Sequence, residues 1–459
     1  MKQLFYLNRY AGPMIIILLL GLSSCKKWVE PDRSPVLLES NKVFNNDLTA
    51  TAAMTGVYAQ SVFGPLWLAN GGLSVYGGLL ADDIINSTTN TNADPFAQNS
   101  LLANNNIVNI NFWTPAYRNL YAVNSILEGL TRSTGLSATV KAQLTGEALL
   151  FRSLLLFYLV NLFGDIPLVT STDYAVNAVL PRSRDTAVYT QITRDLLQAK
   201  ELLPVNYPSA GKLRPNKYAA RALLARVYVY RKQWPDAINE ATAVIDSGQY
   251  NLVSNLNNVF VPASSEGIWL MARQNSNTAE GTAFIPASAT IMPTYRLRDK
   301  LLQLFEPTDQ RLANWTKRNT VAGTAYYYPY KYKERTNAVL TENIQVLRLA
   351  EQYLLRAEAN IALNKPEAAA ADINRIRRRA GLTDILPSGQ LSMMNLLMQE
   401  RRREFFCEWG QRWFDLKRTG TIDAVLIAEK PQWKPYAALL PIPQTDMDRN
   451  PHLKQNPGY

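Results

Sequence analysis

Few side chains in this 459-residue sequence could carry covalent chemistry. Its one histidine, His452, lies among Asn450, Pro451 and Asn456 in what reads as a terminal loop, so a histidine zinc site or a Ser-His-Asp triad has almost no material to work with. The only adjacent acidic pair, Asp82-Asp83, has the groups for calcium binding or acid–base catalysis. A glycosidase, however, needs two carboxyls about 5–9.5 Å apart in space, and sequence neighbours point apart on most backbones. The pair is therefore expected in a solvated loop. Glu400, Glu404 and Glu408 recur at i, i+4, i+8 with arginines at 401–403 and 412, which reads as the salt-bridged flank of a helix rather than a catalytic cluster. The two cysteines are Cys25 and Cys407. No disulfide framework follows from them, and with no histidine to activate its thiol Cys407 is expected to be a small buried residue. On these grounds no catalytic residue, metal ligand or cofactor is assigned.

Cys25 reads differently. Lys2 and Arg9 precede an apolar run from Met14 to Leu20, and Leu22-Ser23-Ser24-Cys25 follows. That is the layout of a secretory signal. The run is too short to span a bilayer, which takes about 20 apolar residues, and no later segment reads as long and apolar enough. The Leu-Ser-Ser-Cys stretch resembles the bacterial lipobox, so residues 1–24 are expected to be a signal peptide and Cys25 the acylated first residue of the mature chain. Each buried acyl methylene contributes about 0.8 kcal/mol to membrane attachment. Residues 25–40 are polar, with Pro31 and Pro35, and read as an extended lipidated tether; 41–459 reads as one large body. The formal charge of +11 is spread along the chain apart from 377–379 and 401–403. Export argues against nucleic acid as the partner, which leaves an anionic glycan or surface.

The elements that would position these groups are mostly helical. An alanine-rich, lightly amphipathic stretch runs from Leu48 to Ser61. Trp113, Tyr117, Leu120, Tyr121 and Asn124 fall at helical spacing within 112–130, and Leu144, Ala148, Phe151, Leu155 and Tyr158 line one face of 140–161. Further on, the segment around Ala225 and Ala237 can be laid on that around Ala357 and Ala369 without a gap. Each copy is a helix, a short turn and a second helix begun by a proline (Pro235, Pro366), with alanines where the two helices meet. This is the tetratricopeptide design of stacked helical hairpins. Residues 396–417 read as one helix, with Phe406, Trp409, Trp413 and Leu416 as its apolar stripe. By contrast 64–106, dense in Gly, Asn, Thr and Ser, reads as irregular structure without a helix. The fold class is thus mostly α: a helical-hairpin scaffold with helices near 112–161, 187–248, 344–380 and 393–418, and a looped lobe drawn mainly from 64–106 and 255–340.

Several stretches, in their shared order, resemble the SusD/RagB family of outer-membrane nutrient-uptake lipoproteins. They are the lipobox, 147–152 with Leu162-Phe-Gly-Asp-Ile-Pro-Leu-Val169, the hairpin around Ala225, 351–381, Glu400-Arg-Arg-Arg-Glu-Phe-Phe through Arg412-Trp-Phe-Asp-Leu-Lys-Arg418, and Leu440-Pro-Ile-Pro443 with Gln455-Asn-Pro-Gly-Tyr459. The resemblance implies about four helical hairpins as scaffold and an irregular lobe carrying the ligand site. It also implies a place in the outer membrane facing the cell exterior, where the protein sits as a lid on a SusC-like TonB-dependent transporter barrel. It further implies capture of an oligosaccharide, or in the RagB branch a peptide, without catalysis. The competing reading is a repeat scaffold that binds only proteins.

Sugar rings present apolar C–H faces, so their binders stack them on flat aromatics and fix the hydroxyls with a few amides, carboxylates or arginines. Two irregular regions offer that mixture. One holds Trp67, Tyr76, Asp83 and Asn86; the other holds Arg273, Asn275, Tyr295, Trp315 and the run Tyr326-Tyr327-Tyr328. No family motif transfers a binding residue to these positions.

Overall fold

The computed structural model describes residues 43–459; the expected signal peptide, Cys25 and the expected tether lie outside them. Phe44–Tyr459 forms one compact unit. In chain order, α1 (Asp47–Ser61) and α2 (Leu73–Leu80) precede β1 (Ile84–Asn86). Four scaffold helices follow, α3 (Thr114–Arg132), α4 (Ala138–Phe163), α5 (Asp185–Leu202) and α6 (Lys217–Tyr230), and α7 (Trp234–Ile245) completes a hairpin with α6. The irregular lobe then contributes β2 (Gly267–Met271), α8 (Ala279–Phe284), β3 (Tyr295–Leu297), β4 (Thr316–Val321) and β5 (Thr324–Pro329). After β6 (Ile344–Arg348) the scaffold resumes as α9 (Leu349–Ala362), α10 (Pro366–Arg379), α11 (Gln390–Phe405) and α12 (Gln411–Arg418).

The mostly helical class is as expected, and the helices pack pairwise: α3 on α4, α4 on α5, α6 on α7, α9 on α10. Ser137 begins α4 by accepting a hydrogen bond from the Val140 amide, and Gly164, at φ +72°, ends it. By length and apolarity α4 would suffice to cross a membrane, contrary to expectation, but 94% of its apolar window is covered by protein. It is the central helix of the core. Ala225, Ala237, Ala357 and Ala369 are all fully buried, so the gapless repeat marks two hairpins whose helices meet over methyl groups. The hairpins are joined through charge as well: Arg226 places two N–H groups on the Glu351 carboxylate at 2.7 Å and a third on the Tyr158 hydroxyl at 3.0 Å.

Two expectations fail, each for a tertiary reason. The stretch 64–106 is not wholly irregular, because α2 is a helix with every residue buried. Its Gly77 and Gly78 lower helix propensity but allow contact: a Cβ on Gly77 would stand 2.7 Å from the Gly410 Cα, and one on Gly78 would stand 3.1 Å from Ile84. The second is the single helix over 396–417, which is broken between α11 and α12. Cys407, Trp409 and Gly410 take left-handed backbone conformations (φ 52°, 48° and 66°). The corner is held from outside: Trp409 stacks on Tyr158 with ring centroids 5.4 Å apart and donates its indole N–H to the Gln345 carbonyl at 2.7 Å. Cys407 is buried there, as expected, and burial pushes its thiol well above the usual range.

Short antiparallel pairs frame the irregular lobe. β1 pairs with β3, setting Asn86 opposite Tyr295, and β2 pairs with β6. β4 and β5 form a hairpin closed by Ala322-Gly323, both at positive φ, a two-residue turn whose twist suits paired strands.

Candidate functional site

Charge sewn between the two parts of the body comes first, because it decides which polar residues remain free to meet a ligand. Arg311, Arg348, Arg377, Arg379, Arg403 and Lys331 face Asp309, Glu266, Glu306, Glu400, Glu404 and Glu408, six cations against six carboxylates. Glu400, Glu404 and Glu408 are therefore salt-bridged, as their spacing suggested, but they form a buried junction rather than a solvated flank. The same correction applies to Asp82 and Asp83, which are 3% and 1% exposed rather than solvated. Asp82 accepts from Arg412 Nε at 2.8 Å, and Asp83 accepts from Arg402 Nε at 3.1 Å. Burial raises the Asp82 pKa, but the positive charges of Arg402 and Arg412 outweigh it and bring it down to about 2. Burial, reinforced by the Asp82 charge, pushes Asp83 up. Each carboxylate is occupied by an arginine, which makes the pair a link between the lobe and α11–α12. No group of three His, Cys, Asp or Glu side chains among the described residues is placed to hold a metal ion.

Most aromatics proposed for the ligand prove to be core. Tyr76 packs on Phe96 and Phe112 at 4.9 and 5.8 Å, and Tyr295 meets Phe284 at 6.2 Å. Trp315 is fully buried, donates to the Leu256 carbonyl and has the Lys331 ammonium 4.8 Å from its ring. Asn86 turns its amide to Asp94 at 2.7 Å. The run 326–328 lies in β5 and sinks along it: Tyr326 and Tyr327 are half-buried under Arg296 and Arg318, and Tyr328 is buried. Trp67 is half-buried, with the Arg118 guanidinium 4.6 Å from its ring and Phe63 beside it, 72% exposed.

The two irregular regions do converge, on a cleft of about 510 Å³. Pro65 and Leu66, just before Trp67, form one wall; Arg273, Asn275, Ser276 and Asn277 form the second; Thr282 and Ala283 of α8 face 335–338 across it. Local hydrogen bonds build each wall. Asn111 Nδ2 donates to the Leu66 carbonyl at 3.0 Å. The Asn277 amide, 4% exposed, donates to the Asn337 and Val339 carbonyls and accepts from the Thr341 and Glu342 amides, so one side chain pins the whole 337–342 loop. Thr282 Oγ1 donates to the Arg335 carbonyl, and Gly281 lies so close to that segment that a Cβ would come within 2.1 Å of the Glu334 carbonyl oxygen. Val339 and Leu340 remain exposed on the rim.

Behind this cleft Glu280 is buried and accepts from Ser74 Oγ at 3.1 Å, while its second oxygen has no hydrogen-bond partner; burial raises its pKa to about 7. Arg273 and Asn275 of the expected residues line the cleft, and Trp67 adjoins it. Asn277, Thr282 and Arg335 were missed. The polar run Arg335-Thr336-Asn337 was the available signal, but nothing in the sequence says that it folds onto α8. A different hollow of about 570 Å³ lies by the C-terminal end of α4 and is lined by Arg182 and Lys417. Those cations already serve the helix end: Lys417 donates to the Asn161 carbonyl and Arg182 to the Phe163 carbonyl. Apolar walls, amides, hydroxyls and two guanidiniums in the lobe cleft suit a hydroxyl-rich ligand.

Comparison with known proteins agrees with this architecture. A family model described as starch-binding and associating with the outer membrane matches residues 74–229, and the model of the SusD family matches 301–459. A SusD-like protein of Formosa agariphila is 25% identical over 97% of this chain and 98% of its own length. The starch-binding protein SusD of Bacteroides thetaiotaomicron is 36% identical over 26% of this chain and 22% of its own. Among solved structures, a SusD superfamily protein from Bacteroides vulgatus superposes with a TM-score of 0.80 at 22% identity, covering 91% of this chain and all of the other. A laminarin-binding SusD-like protein superposes at 0.78 with 23% identity and the same coverage.

Proposed function

This chain belongs to the SusD/RagB family, and from that premise we propose that it is a non-catalytic surface lipoprotein that captures an oligosaccharide in the cleft between Leu66, Arg273 and Arg335 and delivers it to a SusC-like TonB-dependent transporter. The observation that carries the reading is the convergence of 64–106 and 255–340, far apart in sequence, on one cleft whose walls are fixed by partly buried hydrogen bonds. A preformed cleft binds without the cost of ordering loops. Acylation at Cys25 would hold the body at the outer membrane, facing the exterior, and the transporter would receive what the cleft captures. The Asp82-Asp83 pair, the one adjacent acidic pair in the sequence, is consumed by Arg402 and Arg412, which removes it as a catalytic dyad.

Calorimetric titration with an oligosaccharide panel tests this, together with Ala283→Trp, which places an indole in the cleft. Saturable heat that the substitution abolishes, with the oligosaccharide recovered intact, supports the reading. Binding that ignores Ala283→Trp would move the site elsewhere, heat with peptides alone would change the ligand class, and cleaved sugar would make the protein an enzyme. Retention of a barrel protein by the tagged chain checks the delivery step.

A further inference from the structure

The arginines sealed in this protein are matched to acids. Arg226 meets Glu351, Arg152 meets Asp195, Arg401 meets Asp415, and Arg311 meets Asp309 and Glu400. The two arginines lining the lobe cleft are not. Arg273 Nη1 donates to the Asn277 carbonyl at 3.0 Å, and Arg335 Nε donates to the Ile285 carbonyl at 3.1 Å. These bonds to neutral oxygens fix each guanidinium and leave its other N–H groups unclaimed by any carboxylate of the described residues. Arg273 is half-buried, and burial disfavours its charge. The acid whose charge is felt at Arg273 is Glu280, packed beside Gly71. With its pKa raised to about 7, that carboxyl supplies only part of a negative charge at neutral pH. A half-buried positive cleft in a chain of net charge +11 is costly unless something anionic enters it.

From this geometry we infer that the cleft selects oligosaccharides bearing anionic groups, uronate carboxylates or sulfate esters, seated between Arg273 and Arg335. The inference rests on the cleft being the oligosaccharide site. Guanidinium suits both groups because its planar N–H fork meets two oxygens at once, and the charge-assisted bonds are about twice as strong as neutral ones. Asn275, exposed on the rim in a left-handed conformation that asparagine tolerates better than most residues, is left for neighbouring hydroxyls.

The test is calorimetry on the full chain in detergent with three oligosaccharides of equal length: neutral gluco-, uronate and sulfated. At least one acidic ligand is expected to bind about 10-fold or more tighter than the neutral one at low salt, and to lose that margin as salt rises from about 0.05 to about 0.5 M. Arg273→Gln and Arg335→Gln are each expected to lower the acidic affinity about 10-fold and the neutral one by a clearly smaller factor, so that the margin between the two ligands shrinks, and Arg335→Lys is expected to recover part of that margin. The uronate and sulfate arms tell which anion is read. A neutral ligand that binds as tightly as both acidic ones, is blocked by Ala283→Trp and is untouched by either glutamine variant overturns the anionic selectivity and leaves the oligosaccharide site standing. Heat with none of the three overturns the oligosaccharide reading, and the selectivity with it. Melting temperatures of the glutamine variants matching the parent's show that any loss is one of binding, not of folding.

Discussion

Replacing Glu404 by glutamine keeps the side chain's shape and removes one charge from the sealed junction between scaffold and lobe. Glu404 is fully buried; its Oε1 accepts from Arg348 and Arg379, and its Oε2 accepts from Arg311 Nη1 at 3.2 Å. The junction is balanced, so Glu404→Gln leaves one buried cation unmatched, and breaking a buried ion pair from one side costs about 3–5 kcal/mol. Unfolding entropy of about 2.1 cal/mol/K per residue, over roughly 400 residues, gives about 0.85 kcal/mol/K, so the melting temperature should fall by about 4–6 °C. Differential scanning calorimetry at neutral pH reads this directly. A pH series adds a second constraint. Burial raises the Glu404 pKa, but Arg379, Arg348 and Arg311 outweigh it and hold the carboxyl well below the ordinary range. A depressed carboxyl contributes stability that is complete above its unfolded pKa and is lost as pH falls toward the folded one. The gap between parent and variant should thus be constant above about pH 5 and shrink below about pH 4. A variant melting within about 1 °C of the parent at pH 7 would show that the junction does not depend on this charge.

Four other outcomes follow from the same geometry. Gly77→Ala drives a methyl into the Gly410 backbone and should cost about 1–3 kcal/mol, seen as a lower melting temperature; a neutral result would mean that α2 and the 407–410 corner are not in contact. Glu280 carries the opposite sign to Glu404: burial raises its pKa to about 7, so the stability it lends is present below its unfolded pKa and drains away as pH climbs toward 7. Glu280→Gln should abolish that fall, and equal pH profiles for parent and variant would count against a buried Glu280. Asn277→Ala should quicken amide exchange at Thr341 and Glu342 and weaken ligand binding about 10-fold, whereas unchanged exchange would mean that the loop is pinned by other contacts. Cys25→Ala should release a folded, ligand-competent protein from the membrane fraction; a variant that stays there refutes acylation at Cys25.

Elements whose cause is local were legible in the amino-acid order alone. Helical periodicity located α3, α4 and the two hairpins around Ala225 and Ala357, because a 3.6-residue repeat and a proline at a helix start act over a few residues. It also marked the two regions that meet at the cleft, since loop composition is a local property. Features that the three-dimensional fold alone reveals have their partners far along the chain. Periodicity ran straight through 406–410, yet the chain turns there because Gly77, Tyr158 and Gln345 receive the corner. Asp82 and Asp83 read as a solvated loop because sequence-adjacent acids point apart on most backbones; Arg402 and Arg412, more than 300 residues on, pair with them in the interior. Tyr76, Tyr295 and Trp315 had the chemistry of sugar-stacking rings and went to the core, where apolar area leaving water lowers the free energy most. Arg273 and Arg335 could be told from the arginines around them only once the fold had given every sealed one a carboxylate and these two none.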